Sequence, residues 1–175
     1  MTTLSDRVKE TIRDVPDFPK PGIVFKDITP VLADASLFKD IVGDFAARFI
    51  DRGVDVVVGM ESRGFLFGVP LALDLDAAFV PARKPGKLPY KSVGVDYDLE
   101  YGKARLELHI DSIAAGQRVL IVDDLLATGG TAQATVDLVA RLGGEVVACV
   151  FCVELDFLDG RNRLTGHEVY SLVHY

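Results

Sequence analysis

Along this chain, stretches with apolar residues three and four apart alternate with short continuous apolar runs, almost to the last residue. Leu4, Val8 and Ile12 recur at helical spacing, so the first dozen residues read as a short amphipathic helix. In Pro16-Asp-Phe-Pro-Lys-Pro-Gly22, which follows, the prolines forbid regular structure. From Ser36, the positions Leu37, Phe38, Ile41, Val42, Phe45 and Phe49 predict a second helix, stopped by Gly53. Val54 to Met60 is apolar apart from Asp55, the pattern of a strand buried on both faces. A helix is then predicted from Phe65 to Leu75 and a short strand from Ala77 to Ala82.

Residues 104–110 alternate strictly, as a half-exposed strand does. Arg118 to Val122 reads as a buried strand, 131–142 as a helix, Glu145 to Val153 as another buried strand, and Glu168 to His174 as the last one. Strands alternating with helices imply an α/β fold: a central parallel sheet flanked by helices on both faces. In such sheets ligands sit at the carboxyl ends of the strands, which directs attention to the loops there. No repeat, low-complexity tract or linker divides the 175 residues, so one domain is expected. The segment 85–103 shows no clear periodicity and carries Pro85, Pro89, Gly86, Gly94 and Gly102, which makes it a candidate lid loop.

Charge narrows the function classes. Lys and Arg number 19 against 26 Asp and Glu, a formal net charge of -7, the wrong sign for a nonspecific binder of nucleic acid or anionic membrane. Two cysteines make no disulfide framework, which suits a reducing cytoplasm, and neither a leader-like N-terminus nor a membrane-length apolar run is seen.

The most informative segment is Val119-Leu-Ile-Val-Asp-Asp-Leu-Leu-Ala-Thr-Gly-Gly-Thr131, a buried strand, two acids and a glycine loop that opens a helix. Gly129 and Gly130 allow a sharp turn that presents backbone N–H groups, Thr128 and Thr131 add hydroxyl donors, and the positive end of the helix faces the same spot. A phosphate fits there, and Asp123 and Asp124 could accept from a vicinal diol, so that the pair describes a ribose 5-phosphate. The rival readings are weaker. A Walker B strand lacks its G-x-x-x-x-G-K-[ST] partner, a phospho-acceptor receiver domain lacks the following length, and a merely structural turn stays open.

This segment resembles the phosphoribosyl pyrophosphate signature of the type I phosphoribosyltransferases, in the form found in the branch that acts on adenine. The resemblance extends to Phe18-Pro-Lys-Pro-Gly-Ile-Val-Phe-Lys-Asp-Ile-Thr-Pro30, Glu61-Ser-Arg-Gly-Phe-Leu-Phe-Gly68, Arg83-Lys-Pro-Gly-Lys-Leu-Pro89, Leu99-Glu-Tyr-Gly-Lys103, Val153-Glu-Leu155 and Gly160-Arg-Asn-Arg-Leu164, in order and over nearly the whole chain. It implies transfer of phosphoribosyl from phosphoribosyl pyrophosphate to adenine, giving AMP and pyrophosphate, as a step of purine salvage. It also implies a homodimer, and a small hood from residues 1–35 with part of the C-terminal segment.

Site roles follow from the resemblance. Asp123, Asp124, Ala127, Thr128, Gly129, Gly130 and Thr131 would bind the ribose phosphate. Glu61, Ser62 and Arg63 would bind pyrophosphate, with a cis peptide expected at Glu61–Ser62; Arg83, Lys84 and Lys87 would assist, partly across the dimer. Mg²⁺ would arrive on phosphoribosyl pyrophosphate, with no side-chain ligands assigned. Glu100, beside the lid residue Tyr101, would act as general acid or base near N7 of the base. Val24 and Lys26 would read adenine through the main chain, Phe25 would stack on it and Leu155 would cover another side. Without the resemblance, the Lys-rich segment reads as a solvated face, Glu100 as a surface acid and Phe25 as core packing.

Cys149 and Cys152 lie in an apolar strand three residues apart, on opposite faces, and read as core thiols; the histidines show no metal-ligand spacing. Two other functions stay in view: a sister transferase for another purine, and a non-catalytic regulator that senses phosphoribosyl pyrophosphate. The acidic charge opposes the second.

Overall fold

The computed structural model describes residues 2–98 and 103–175. The chain divides into two compact units, Met1–Asp44 and Phe45–Tyr175.

In the first unit, helix α1 (Leu4–Thr11) starts with a reciprocal cap. The Thr3 hydroxyl accepts from the Asp6 N–H at 3.1 Å and the Asp6 carboxylate accepts from the Thr3 N–H at 3.0 Å. Strands β1 (Arg13–Pro16) and β2 (Val24–Asp27) pair antiparallel, with Val15 opposite Phe25. The prolines therefore exclude regular structure only from the connection. Pro16 is the last residue of a strand whose outer edge needs no donor. In the connection, Asp17 and Gly22 have positive φ, the Asp17 carboxylate accepts from the Gly22 N–H at 2.7 Å, and Phe18–Pro19 is cis. Helix α2 (Thr29–Ala33) precedes α3 (Ala35–Phe49), whose first turn is capped by Asp34 through the N–H groups of Ser36 and Leu37.

The second unit carries β3 (Val56–Met60), α4 (Gly64–Asp74), β4 (Ala78–Ala82), β5 (Ser92–Asp98), β6 (Lys103–His109), β7 (Arg118–Leu126), α5 (Gly130–Leu142), β8 (Glu145–Glu154) and β9 (Val169–His174). Five strands form one sheet in the order β4-β3-β7-β8-β9, parallel throughout, as the alternating pattern predicts. The continuous apolar runs exist because both faces are covered. Val56, Val58, Met60, Ile121, Cys149 and Phe151 face a core shared with Ala132, Leu138 and Val139 of α5, while α4 packs on β3 and β7.

The segment 85–103 differs from its reading as a structureless loop. Ser92–Asp98 is a strand, paired antiparallel with β6 from Ser92 opposite His109 onward. Val93, Val95 and Tyr97 do alternate with Gly94 and Asp96, but the run is short and a glycine interrupts it. Val95, Leu106 and Leu108 root this hairpin in the same core as α5.

One consequence of strand order places the site. The crossover β3–α4–β4 leads away from the sheet centre in one direction and β7–α5–β8 leads in the other, with β3 and β7 adjacent. Reversal of winding between neighbouring strands opens a crevice at their carboxyl ends.

Candidate active site

At the end of β7 the chain passes from Asp123 and Asp124 into Ala127-Thr-Gly-Gly-Thr131 and then α5. Gly129 adopts φ 79° as the N-cap of α5, and no side chain caps the helix, so its first N–H groups point into the loop. Together, Asp123 and residues 127–131 line a concavity of about 80 Å³. Uncapped amide donors at a positive helix end, around a space of that size, suit a phosphate.

The turn after β3 lies beside this loop. Gly64, at the start of α4, comes so close to β7 that a Cβ there would stand 2.7 Å from the Val122 carbonyl and 2.9 Å from the Asp123 carboxylate. Arg63 reaches across, with its Nε 2.8 Å from Asp124 Oδ2. The peptide between Glu61 and Ser62 is cis, as the resemblance implies. Glu61 accepts from the Arg83 guanidinium at 3.2 Å and from the Lys84 N–H at 2.9 Å. The two predicted parts of a pyrophosphate site, 61–63 and 83–84, are thereby joined; the side chains of Lys84 and Lys87 are exposed. Burial would raise the Glu61 pKa, but these hydrogen bonds and the cations outweigh it, and the carboxyl is held below its usual range.

Asp123 is shifted the other way. Burial, then the charge of Asp124, pushes its carboxyl well above the usual range, and the hydrogen bond from the Asp124 N–H and the charge of Arg63 only partly oppose this. Asp124 is itself buried, and its Oδ2 has the ion pair with Arg63 but no aligned hydrogen-bond donor.

The remaining predicted residues fall in separate places. Leu155 follows β8 and donates its N–H to the Leu126 carbonyl at 3.0 Å, which puts it beside the strand that carries the phosphate loop. Val24, Phe25 and Lys26 form β2 of the first unit; the Phe25 ring meets Phe18 edge-on at 5.2 Å and Lys26 Nζ pairs with Asp14 at 2.7 Å. Glu100 and Tyr101 lie outside the described residues. Cys149 and Cys152 are free and buried, and burial pushes each thiol up to about 12, in keeping with inert core residues.

Sequence reasoning missed one neighbour of the loop. The Thr131 hydroxyl lies 3.3 Å from the Tyr97 hydroxyl, a contact that brings β5 to the start of α5. An alternation of Val93, Val95 and Tyr97 was the available signal. For a resident metal, Glu154, Asp156 and His174 bring ligand atoms together among the described residues. They do not fit one: both Glu154 oxygens already accept from Arg161, and one of them also from Ser171.

Residues 31–167 match the phosphoribosyl transferase domain model. The adenine phosphoribosyltransferase of Myxococcus xanthus is 59% identical over 172 residues, covering 98% of this chain and 94% of its own. The chain belongs to the adenine phosphoribosyltransferase family. Within that family, the crystal structure from Thermoanaerobacter pseudethanolicus superposes with a TM-score of 0.95 at 52% identity, covering 99% of this chain and 100% of its own. The Saccharomyces cerevisiae enzyme, solved with an imino-altritol bisphosphate and adenine, gives a TM-score of 0.92 at 39% identity, over 98% and 99% of the two chains.

The raised pKa of Asp123 makes a stability prediction. Between the ordinary Asp value and the raised one, the folded state binds more protons than the unfolded state, so stability falls as pH rises. Asp123→Asn keeps the oxygen that accepts the Asp124 N–H at 2.9 Å but removes the charge. It should stabilise the protein at pH 7, where the wild-type carboxyl must give up its proton in a buried place beside Asp124. Denaturant titrations should show that gain vanishing in acid; a variant less stable than wild type at every pH would refute the assignment.

Proposed function

We propose the following division of labour for the reaction of adenine with phosphoribosyl pyrophosphate to AMP and pyrophosphate, a purine-salvage step. The observation that carries it is the meeting of two segments at adjacent strand ends, 61–63 after β3 and 123–131 at the end of β7 and beyond it, tied by Arg63 and Asp124. Residues 127–131 take the 5-phosphate on backbone and hydroxyl donors, and Asp123 and Asp124 accept from the ribose hydroxyls. Glu61, Ser62 and Arg63, with Arg83, Lys84 and Lys87, face the pyrophosphate. Negative charge grows on that leaving group as its bond to C1 breaks, and donors fixed in place beforehand stabilise it without reorganising.

Mg²⁺ enters with phosphoribosyl pyrophosphate, bound mainly through it, and supplies further charge neutralisation there. Val24 and Lys26 read adenine through their main chain, Phe25 stacks on the ring and Leu155 covers it. The Lys26 ammonium already paired with Asp14 supports a backbone role for that residue. Glu100 exchanges a proton near N7, and Tyr101 belongs to the lid.

A homodimer is part of this reading. Leu66, Val69 and Leu73 are all exposed at helical spacing on α4, an apolar stripe suited to a second copy. Buried free thiols support work in the reducing cytoplasm. Among the described residues, no helix is long and apolar enough to cross a membrane.

Pyrophosphate release should be measured with Mg²⁺ and adenine, hypoxanthine or guanine in parallel. Release with adenine alone is expected; release with another base would sink the assignment of the base-reading strip, and none at all would favour a sensor. Glu100→Gln should lower kcat by about 10²–10⁴-fold, the usual range for a lost acid or base. Its binding of phosphoribosyl pyrophosphate should persist, and unchanged turnover would remove Glu100 from the mechanism. In sedimentation, wild type should run as a dimer and Leu73→Glu should shift it to monomer; a monomeric wild type would end the dimer proposal.

A further inference from the structure

The phosphate loop is built against a part of the chain that the reaction scheme leaves unused. A Cβ on Gly129 would collide with the Gly160 carbonyl, and one on Gly160 would collide with the Ala127 carbonyl and come within 3.0 Å of the Gly129 nitrogen. Backbone thus rests on backbone, and the path of 127–129 is set by wherever residue 160 is held. What holds it is its neighbour. The Arg161 guanidinium donates to both oxygens of Glu154, at 3.0 and 2.6 Å, and to the Val169 carbonyl at 2.8 Å. Glu154, the last residue of β8, is 4% exposed and also accepts from the Ser171 hydroxyl in β9 at 2.6 Å. Three elements, β8, β9 and the turn Gly160–Leu164, converge on one carboxylate.

A buried acid paired with arginine is a weak source of stability compared with apolar side chains of the same volume, because both charges must be desolvated. Its geometry, in contrast, is strongly fixed, since a planar fork on a planar carboxylate admits one arrangement. We infer that Glu154 and Arg161, with Ser171, form a positioning lock that seats Gly160 beneath the phosphate loop and so pre-shapes its N–H groups for the 5-phosphate. The inference rests on the reading of 127–131 as the 5-phosphate site. Neither residue touches substrate; both act through Gly160. Burial would raise the Glu154 pKa, but the hydrogen bonds from Arg161 and Ser171, with Arg161 and His174 (Nδ1 3.8 Å away) facing the same carboxylate, prevail and hold it below the usual range. The lock is therefore fully charged at neutral pH, and its stabilising contribution is lost only as pH falls through that lowered value.

A simple strut tying the C-terminal strand to the sheet would show different ligand behaviour. The test is calorimetric titration of wild type, Arg161→Lys and Gly160→Ala with ribose 5-phosphate and, separately, with Mg²⁺-pyrophosphate. Arg161→Lys keeps the charge but loses the fork, and Gly160→Ala displaces the loop with the ion pair intact. Both should weaken ribose 5-phosphate by about tenfold or more, raise KM for phosphoribosyl pyrophosphate more than they lower kcat, and leave pyrophosphate affinity within about twofold. A melting-temperature drop with both affinities unchanged, or with both reduced alike, would overturn the lock. So would wild-type binding of ribose 5-phosphate by Gly160→Ala. If wild type itself binds pyrophosphate but not ribose 5-phosphate, the reading of the loop fails, and the lock with it.

Discussion

Two adjacent parallel strands whose crossovers lead in opposite directions must still bring their following turns to within hydrogen-bonding distance, and in this protein that closeness rests on missing side chains. Gly64 lets the first turn of α4 press on the end of β7, and Gly129 lets the loop lie on Gly160. With the backbones that close, Arg63 can reach Asp124, and the turn after β3 and the loop after β7 share one crevice. A Cβ at Gly64 would push the first turn of α4 off the end of β7, and one at Gly129 would push the loop off Gly160.

Electrostatics sharpen the same arrangement. A chain with net charge -7 gathers Arg63, Arg83 and Lys84 around one crevice. Glu61 is engaged by two of these residues and is held ionised, whereas Asp123 gains little from them and is pushed toward its protonated form. Two acids at neighbouring strand ends thus differ because one accepts from two cationic residues and the other is buried beside a second carboxylate.

Much of this was legible in the residues. The continuous apolar runs at 54–60, 118–122 and 145–153 announce doubly covered strands, and Gly129-Gly130 after two acids announces a tight turn that opens a helix. Less visible were β1 and β2, where prolines hide two four-residue strands, and β5, where Gly94 breaks a short alternation. Hardest to see was anything that depends on contacts distant in sequence. Nothing local in Gly160-Arg161 says that it touches residues 127–129, and Glu154 reads as an ordinary acid at the end of an apolar run. Propensity and periodicity report on neighbours within a turn or a strand; the partner of a buried charge is decided by topology.

That long-range support has a consequence for how the protein comes into being. The signature at 123–131 leaves the ribosome well before the residues that seat it: Gly160 follows about thirty residues later, and Ser171 about forty. A nascent chain that already carries the whole loop still lacks the backbone of Gly160 on which it rests. If 127–131 bind the sugar phosphate as proposed, competence for it arrives late in synthesis, with the addition of β9, whose Ser171 completes the contacts of Glu154.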